Sequence, residues 1–190
     1  MLLSALAATG WLYGADAAAI RGAQSQSSDL LDTLGSFFSA IGGWELAGGL
    51  LLVLVATLFF GGRRRLAGRL LLAFLAATLL EYLMKQFLPV PPIPSGFVRT
   101  GDFSPLVAVD YSYPYPSGHA LRSTILLGVI YLLSRSGFLR AGILLVLVGL
   151  LASRVYLGVH WASDVVGGAL LGATAVVWAF EKEERGWRLQ

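Results

Sequence analysis

Long apolar blocks separated by short polar or basic stretches set the pattern of this chain. Leu46 to Phe60, Leu66 to Leu83, Ser123 to Leu133, Ala141 to Ala152 and Val165 to Phe180 are nearly free of charge. A spanning helix needs about 20 mostly apolar residues, and each block with its flanks approaches that length. Strict polar–apolar alternation is absent, which argues against a transmembrane β-barrel. The pattern predicts an all-α, polytopic transmembrane bundle of about six membrane helices, in a single domain over residues 1–190 with a core of about 30–180.

The ends of these blocks carry their own signals. Residues 1 to 20 are apolar but contain Gly10, Gly14 and Asp16, and no basic residue precedes Arg21. This reads as a first span or a deeply embedded helix, not as a cleaved signal peptide. Ser28 or Asp29 is a suitable cap for a short helix. Leu30, Leu31, Leu34, Phe37 and Phe38 would then share one apolar face, which suits a helix at the membrane surface. Trp44 opens the next span, which ends at Gly61-Gly62-Arg63-Arg64-Arg65, and another runs from about Leu66 to Leu88.

All seven prolines fall between Pro89 and Pro116. Helix cannot persist through such a run, so it is a loop outside the hydrocarbon or packed on protein. Tyr111, Tyr113 and Tyr115 within it fit the headgroup level. Further spans run from near His119 to Leu133, from roughly Leu139 to Tyr156, and from Ser163 to Phe180.

Charge changes the picture by its placement. The net charge is +3, and only 13% of the residues are charged against 56% hydrophobic. Arg63, Arg64, Arg65 and Arg69 fall at one inter-helix loop, Arg135 and Arg140 at another, and Lys182, Arg185 and Arg188 in the tail. This is the signature of cytoplasmic loops rather than of a nucleic-acid surface. The expected location is therefore an integral protein of a bacterial cytoplasmic membrane. Lys85, Ser117 to His119, Arg154, His160 and Asp164 then sit together at the opposite helix ends, away from the cytoplasm. The chain has no cysteine, which excludes disulfides and cysteine metal sites.

The chain's two histidines both lie in that set. Ionisable groups beside spanning segments are functional candidates by default. His160 and Asp164 are one helical turn apart, so the carboxylate can fix the imidazole tautomer and leave the other nitrogen free to attack. His119 is then available to protonate a leaving oxygen and to activate water. Arg154 and Lys85 supply cationic donors, and the amides of Ser117 and Gly118 at a helix start supply N–H groups. The set reads as a phosphate-transfer site that needs no cofactor and no metal. Its expected partners are a lipid phosphate substrate and membrane lipids, with no nucleic acid.

Pro116-Ser117-Gly118-His119 and Ser153-Arg154, five residues, His160, three residues, Asp164 resemble two motifs of the type-2 phosphatidic acid phosphatase superfamily. The resemblance covers about Leu30 to Phe180. It implies His160 as nucleophile, Asp164 as its orienter, His119 as general acid, and Ser117, Gly118 and Arg154 as phosphate binders. It also implies a lipid phosphomonoester or diphosphate as substrate. The first family motif departs here: Lys85 matches its lysine, but Pro92 and Ile93 stand where an arginine and a proline belong. Arg122, one turn after His119, is the expected replacement for that arginine, with Arg99 as a second possibility. Glu81, four residues before Lys85, suits an ion pair with it. Gly167, Gly168 and Gly172 read as helix-packing residues. Two other functions compete: a serine hydrolase using Ser117 with His160 and Asp164, and a transporter or scaffold without catalysis.

Overall fold

The structure is a computed structural model that describes residues 2–99 and 112–181. Tyr111, Pro105 and the tail residues Lys182, Arg185 and Arg188 lie outside the described residues. The described chain is all-helical, as the apolar blocks predict. Eight α-helices follow in order: α1 (Leu2–Ala8), α2 (Tyr13–Gln24), α3 (Asp29–Ile41), α4 (Gly49–Phe60), α5 (Arg64–Phe87), α6 (Gly118–Leu133), α7 (Gly137–Tyr156) and α8 (Ala162–Phe180). Four stretches are long and apolar enough to cross a membrane: Asp29–Phe60, which joins α3 and α4 through a π-helical turn at Trp44–Gly48, and then α5, α7 and α8. The shorter α6 is also apolar. The expected count of about six is thus approximate.

The remaining membrane helix expected from the sequence is broken. Residues 1 to 20 do not form one rod; α1 and α2 are separated by a turn in which Gly10 has φ +71°. At 1.5 Å per residue, helices of 7 and 12 residues reach only about 10 and 18 Å, too short to cross singly. α1 lies against α8, and α2 lies against α7 and α8.

Ser28 is the N-cap of α3, its Oγ accepting the Leu31 N–H at 3.3 Å. The helix does not stand apart as a surface element. It packs along the last turns of α7, with Gly35 against Tyr156 and Leu157 and with Phe38 against Gly149. The contact takes only one edge of the predicted apolar stripe: Leu30, Leu31, Leu34 and Phe37 stay 40% or more exposed.

The core lies among α4, α5, α6 and α8, around Leu51, Leu66, Leu70, Leu121, Ile125 and Val129. Hydrocarbon is as apolar as leucine, so association here depends on close packing. The small residues of α8 provide it. A Cβ on Gly168 would lie 2.2 Å from the Ser117 carbonyl oxygen, and one on Gly172 would lie 2.7 Å from that of Leu121. Gly167 sits similarly against the Tyr115 ring. These glycines are packing residues, and they hold α8 against the start of α6.

Connectivity then fixes the two ends of the bundle. The end of α5, the start of α6, the end of α7 and the start of α8 meet at one end. The α4–α5 and α6–α7 turns lie at the other, where Arg69 of α5 donates to the Trp178 carbonyl of α8 and stacks on its ring at 4.7 Å.

Candidate active site

The two histidine motifs are joined backbone to backbone. The Ser117 N–H donates to the Asp164 carbonyl at 2.9 Å. Ser117 also caps α6, its Oγ accepting the Ala120 N–H at 3.4 Å, and its side chain is fully buried. The close approach of Gly168 makes this joint possible, because any larger residue would push α8 off the Ser117 carbonyl.

His160 lies in the turn between α7 and α8. The Arg154 carbonyl accepts the N–H groups of Val159 and His160 at 3.2 and 3.3 Å, which folds the second motif back on itself. Gly158 has φ +64°, and a Cβ there would meet the Phe97 carbonyl at 2.0 Å, so the turn requires glycine. The proline-rich loop holds the turn from outside: the Arg99 N–H donates to the Leu157 carbonyl at 2.8 Å, and the Trp161 indole donates to the Pro91 carbonyl at 2.7 Å.

His160 Nδ1 faces Asp164 Oδ2 at 3.3 Å, and the same oxygen accepts the Trp161 N–H at 3.0 Å. Burial, reinforced by the charges of Arg154, Lys85 and Arg122, holds the His160 pKa well below the ordinary histidine value. The imidazole is therefore neutral near pH 7. A neutral ring that donates from Nδ1 to the carboxylate keeps its Nε2 lone pair free. Arg154, Arg122 and Lys85 lie close enough to act electrostatically on His119 as well. The sequence-predicted set is thus brought to one place.

Its cations are organised by a carboxylate. Glu81, 2% exposed, reaches Lys85 Nζ with Oε1 at 3.3 Å and Arg122 Nη1 with Oε2 at 3.1 Å. The Glu81–Lys85 pair follows from the four-residue spacing; the bridge to Arg122, 41 residues away, does not. Arg122 is buried and also stacks over Trp44 at 5.1 Å. Gly118 has a contact that the sequence does not reveal. A Cβ on it would meet Glu81 Oε1 at 2.0 Å and Arg122 Nη2 at 2.6 Å, so this glycine makes room for the ion pair.

Arg154 is buried and donates from Nη1 to Ser39 Oγ of α3. His119 lies beside Gly42, where a Cβ would come 3.3 Å from His119 Cδ2. Arg99 is placed differently. Its guanidinium is clamped bidentately by Asp32 at 2.9 and 2.8 Å, and Tyr156 donates to the same carboxylate at 2.5 Å. Arg99 pins the loop to α3 and α7, so it is not the second source of a phosphate-facing guanidinium. Sequence reasoning missed Ser39 and the structural use of Asp16. Neither has a local signal, since their partners are 115 and 147 residues away.

Comparison with known proteins gives the family and the fold. Residues 66–187 match the PAP2 superfamily, and the chain belongs to it. It is 43% identical over 82 residues to phosphatidylglycerophosphatase B of Bacillus subtilis, a match covering 37% of this chain and 39% of that protein. It is 36% identical over 127 residues to an undecaprenyl-diphosphatase of Sulfolobus acidocaldarius, covering 61% of this chain and 54% of that one. The matches thus span about half or less of these relatives' lengths. Among solved structures, the PAP2-type phosphatidylglycerolphosphate phosphatase of B. subtilis superposes with a TM-score of 0.75 at 25% identity, covering 97% of this chain and 92% of that one. LpxE of Aquifex aeolicus superposes at 0.63 with 24% identity, over 85% and 92%, a likeness of fold.

Proposed function

We propose that this protein is a membrane lipid phosphatase that hydrolyses a phosphomonoester or diphosphate through a phosphohistidine on His160. The observation that carries the reading is the buried His160 with Nδ1 facing Asp164 at 3.3 Å, within electrostatic reach of Arg154, Lys85 and Arg122. In the first step Nε2 attacks phosphorus as the bond to the lipid oxygen breaks, and His119 passes a proton to that oxygen. In the second, His119 takes a proton from water, whose oxygen attacks phosphorus and releases His160 and phosphate. Arg154, Lys85, Arg122 and the amides of Ser117 and Gly118 would share the charge on the equatorial oxygens. Membership of a family whose relatives are named as lipid phosphatases supports the substrate class. A serine hydrolase at Ser117 is less well supported, because its Oγ is buried as the cap of α6.

The test is phosphate release from a panel of lipid monophosphates and diphosphates by detergent-purified protein. His160→Ala is expected to abolish turnover while the protein still folds. Retention of more than a few per cent of activity in a clean preparation would defeat the assignment.

A further inference from the structure

Residues 2–24 lie outside the segment that matches the family, yet their two helices touch both histidine motifs. Ser4 Oγ of α1 lies 3.1 Å from the hydroxyl of Tyr115, two residues before Ser117. The Tyr13 ring meets Trp161 edge-on at 5.4 Å. Asp16 of α2 is buried, 6% exposed. Both of its oxygens are committed to Ser163: Oδ1 accepts the N–H at 2.8 Å and Oδ2 the hydroxyl at 2.7 Å.

Ser163 immediately precedes Asp164 in the first turn of α8, where backbone donors have no partner within the helix. Two carboxylates divide these donors. Asp164 Oδ2 takes the Trp161 N–H and faces His160, whereas Asp16 takes both donors of Ser163. Asp164 Oδ1 is buried without a hydrogen-bond partner among the described residues. If Asp16 could not accept the Ser163 hydroxyl, the first turn of α8 would lose half of its tie to α2. A shift of that turn would move the Asp164 oxygen that faces His160 at 3.3 Å.

We propose that Asp16 is a positioning residue for the phosphate-transfer site: it fixes the first turn of α8 and with it the Asp164 carboxylate that faces His160. This inference rests on the reading of His160 as the nucleophile. Asp16→Asn is the informative variant. It keeps the shape and an acceptor for the Ser163 N–H, but it presents an NH₂ to the hydroxyl. Kinetics on a hydrolysed lipid phosphate would be combined with single-turnover trapping of the alkali-stable phosphoenzyme.

The expected result is a fall in kcat and in the phosphorylation rate of about tenfold, with KM within about threefold of wild type. Ser163→Ala removes the other partner of the same hydrogen bond, so it should show a similar fall in kcat with KM kept, and combining it with Asp16→Asn should add little to either single loss. Gly14→Ala is the control for α2, since its added Cβ meets nothing within 4 Å, and it should match wild type. Wild-type rates for Asp16→Asn, or losses that simply add in the double variant, would overturn the proposal. His160→Ala, measured in parallel, separates the two levels. An inactive His160→Ala beside a normal Asp16→Asn refutes only the role of Asp16, whereas an active His160→Ala removes the nucleophile and this inference with it.

Discussion

At the scale of single residues, spacing carries most of the chemistry. Glu81 meets Lys85 because four residues make one helical turn, whereas His160, which precedes the extended N-cap Trp161 of α8, meets Asp164 because that carboxylate folds back over the helix start to take the Trp161 N–H. Contacts between distant segments are not encoded that way, and the bridge from Glu81 to Arg122 is such a contact. It bears on the lost family arginine at Pro92. Arg122 is already ion-paired, so a role in phosphate binding must coexist with Glu81. Its Nε has no hydrogen-bond partner among the described residues, and its Nη2 lies against Gly118. Arg122→Lys separates the two duties: it keeps a cation for Glu81 but cannot chelate two oxygens in the same plane. If Arg122 shares the phosphate, the Lys variant should lose turnover clearly while melting near the wild-type temperature. Arg122→Ala should cost roughly 2–4 kcal/mol in the transition state, as for loss of one preorganised donor. Normal kinetics in the Lys variant would leave Arg122 a structural partner of Glu81 only.

At the scale of elements, hydropathy located the long helices well, because each must be apolar over its full length. It was weaker where an apolar face is covered by protein. The α1–α2 segment, which lies against α7 and α8, looks in sequence like a single span, and the α3 stripe does not announce that Gly35 and Phe38 face α7 while Leu30, Leu31, Leu34 and Phe37 stay exposed. The break at Gly10 depends on a positive φ that one glycine permits but does not announce. The glycines of α8 were legible, and their structural role can be measured. A Cβ at Gly168 would sit 2.2 Å from the Ser117 carbonyl, so α8 and the Ser117–Asp164 joint must move apart to admit it. Overpacking of this kind costs about 1–3 kcal/mol. Gly168→Ala should lower the thermal inactivation temperature in detergent and reduce kcat together. Gly142→Ala on α7, whose Cβ meets nothing within 4 Å, should do neither. Equal behaviour of the two variants would show that the interface yields without disturbing the site.

At the scale of the whole molecule, the bundle has two chemically different ends. One carries Lys85, Ser117, His119, Arg154, His160 and Asp164. The other carries the arginines of the α4–α5 and α6–α7 turns. Sequence reasoning reached the same division because basic loops and catalytic motifs each mark helix ends, and alternating spans force them apart. Basic loops favour the cytoplasmic side, so the site should face outward, where an outer-leaflet headgroup can enter it. The chain's lack of cysteine makes a direct test simple. Gly96 lies in the proline-rich loop at the site end and Gly137 begins α7 at the basic end; a Cβ at either meets nothing within 4 Å, so Gly96→Cys and Gly137→Cys should both fold. A membrane-impermeant maleimide should label Gly96→Cys on intact cells and Gly137→Cys only after lysis. The reverse pattern would turn the protein over in the membrane. The catalytic geometry would be untouched, but the substrate would then have to come from the cytoplasmic leaflet.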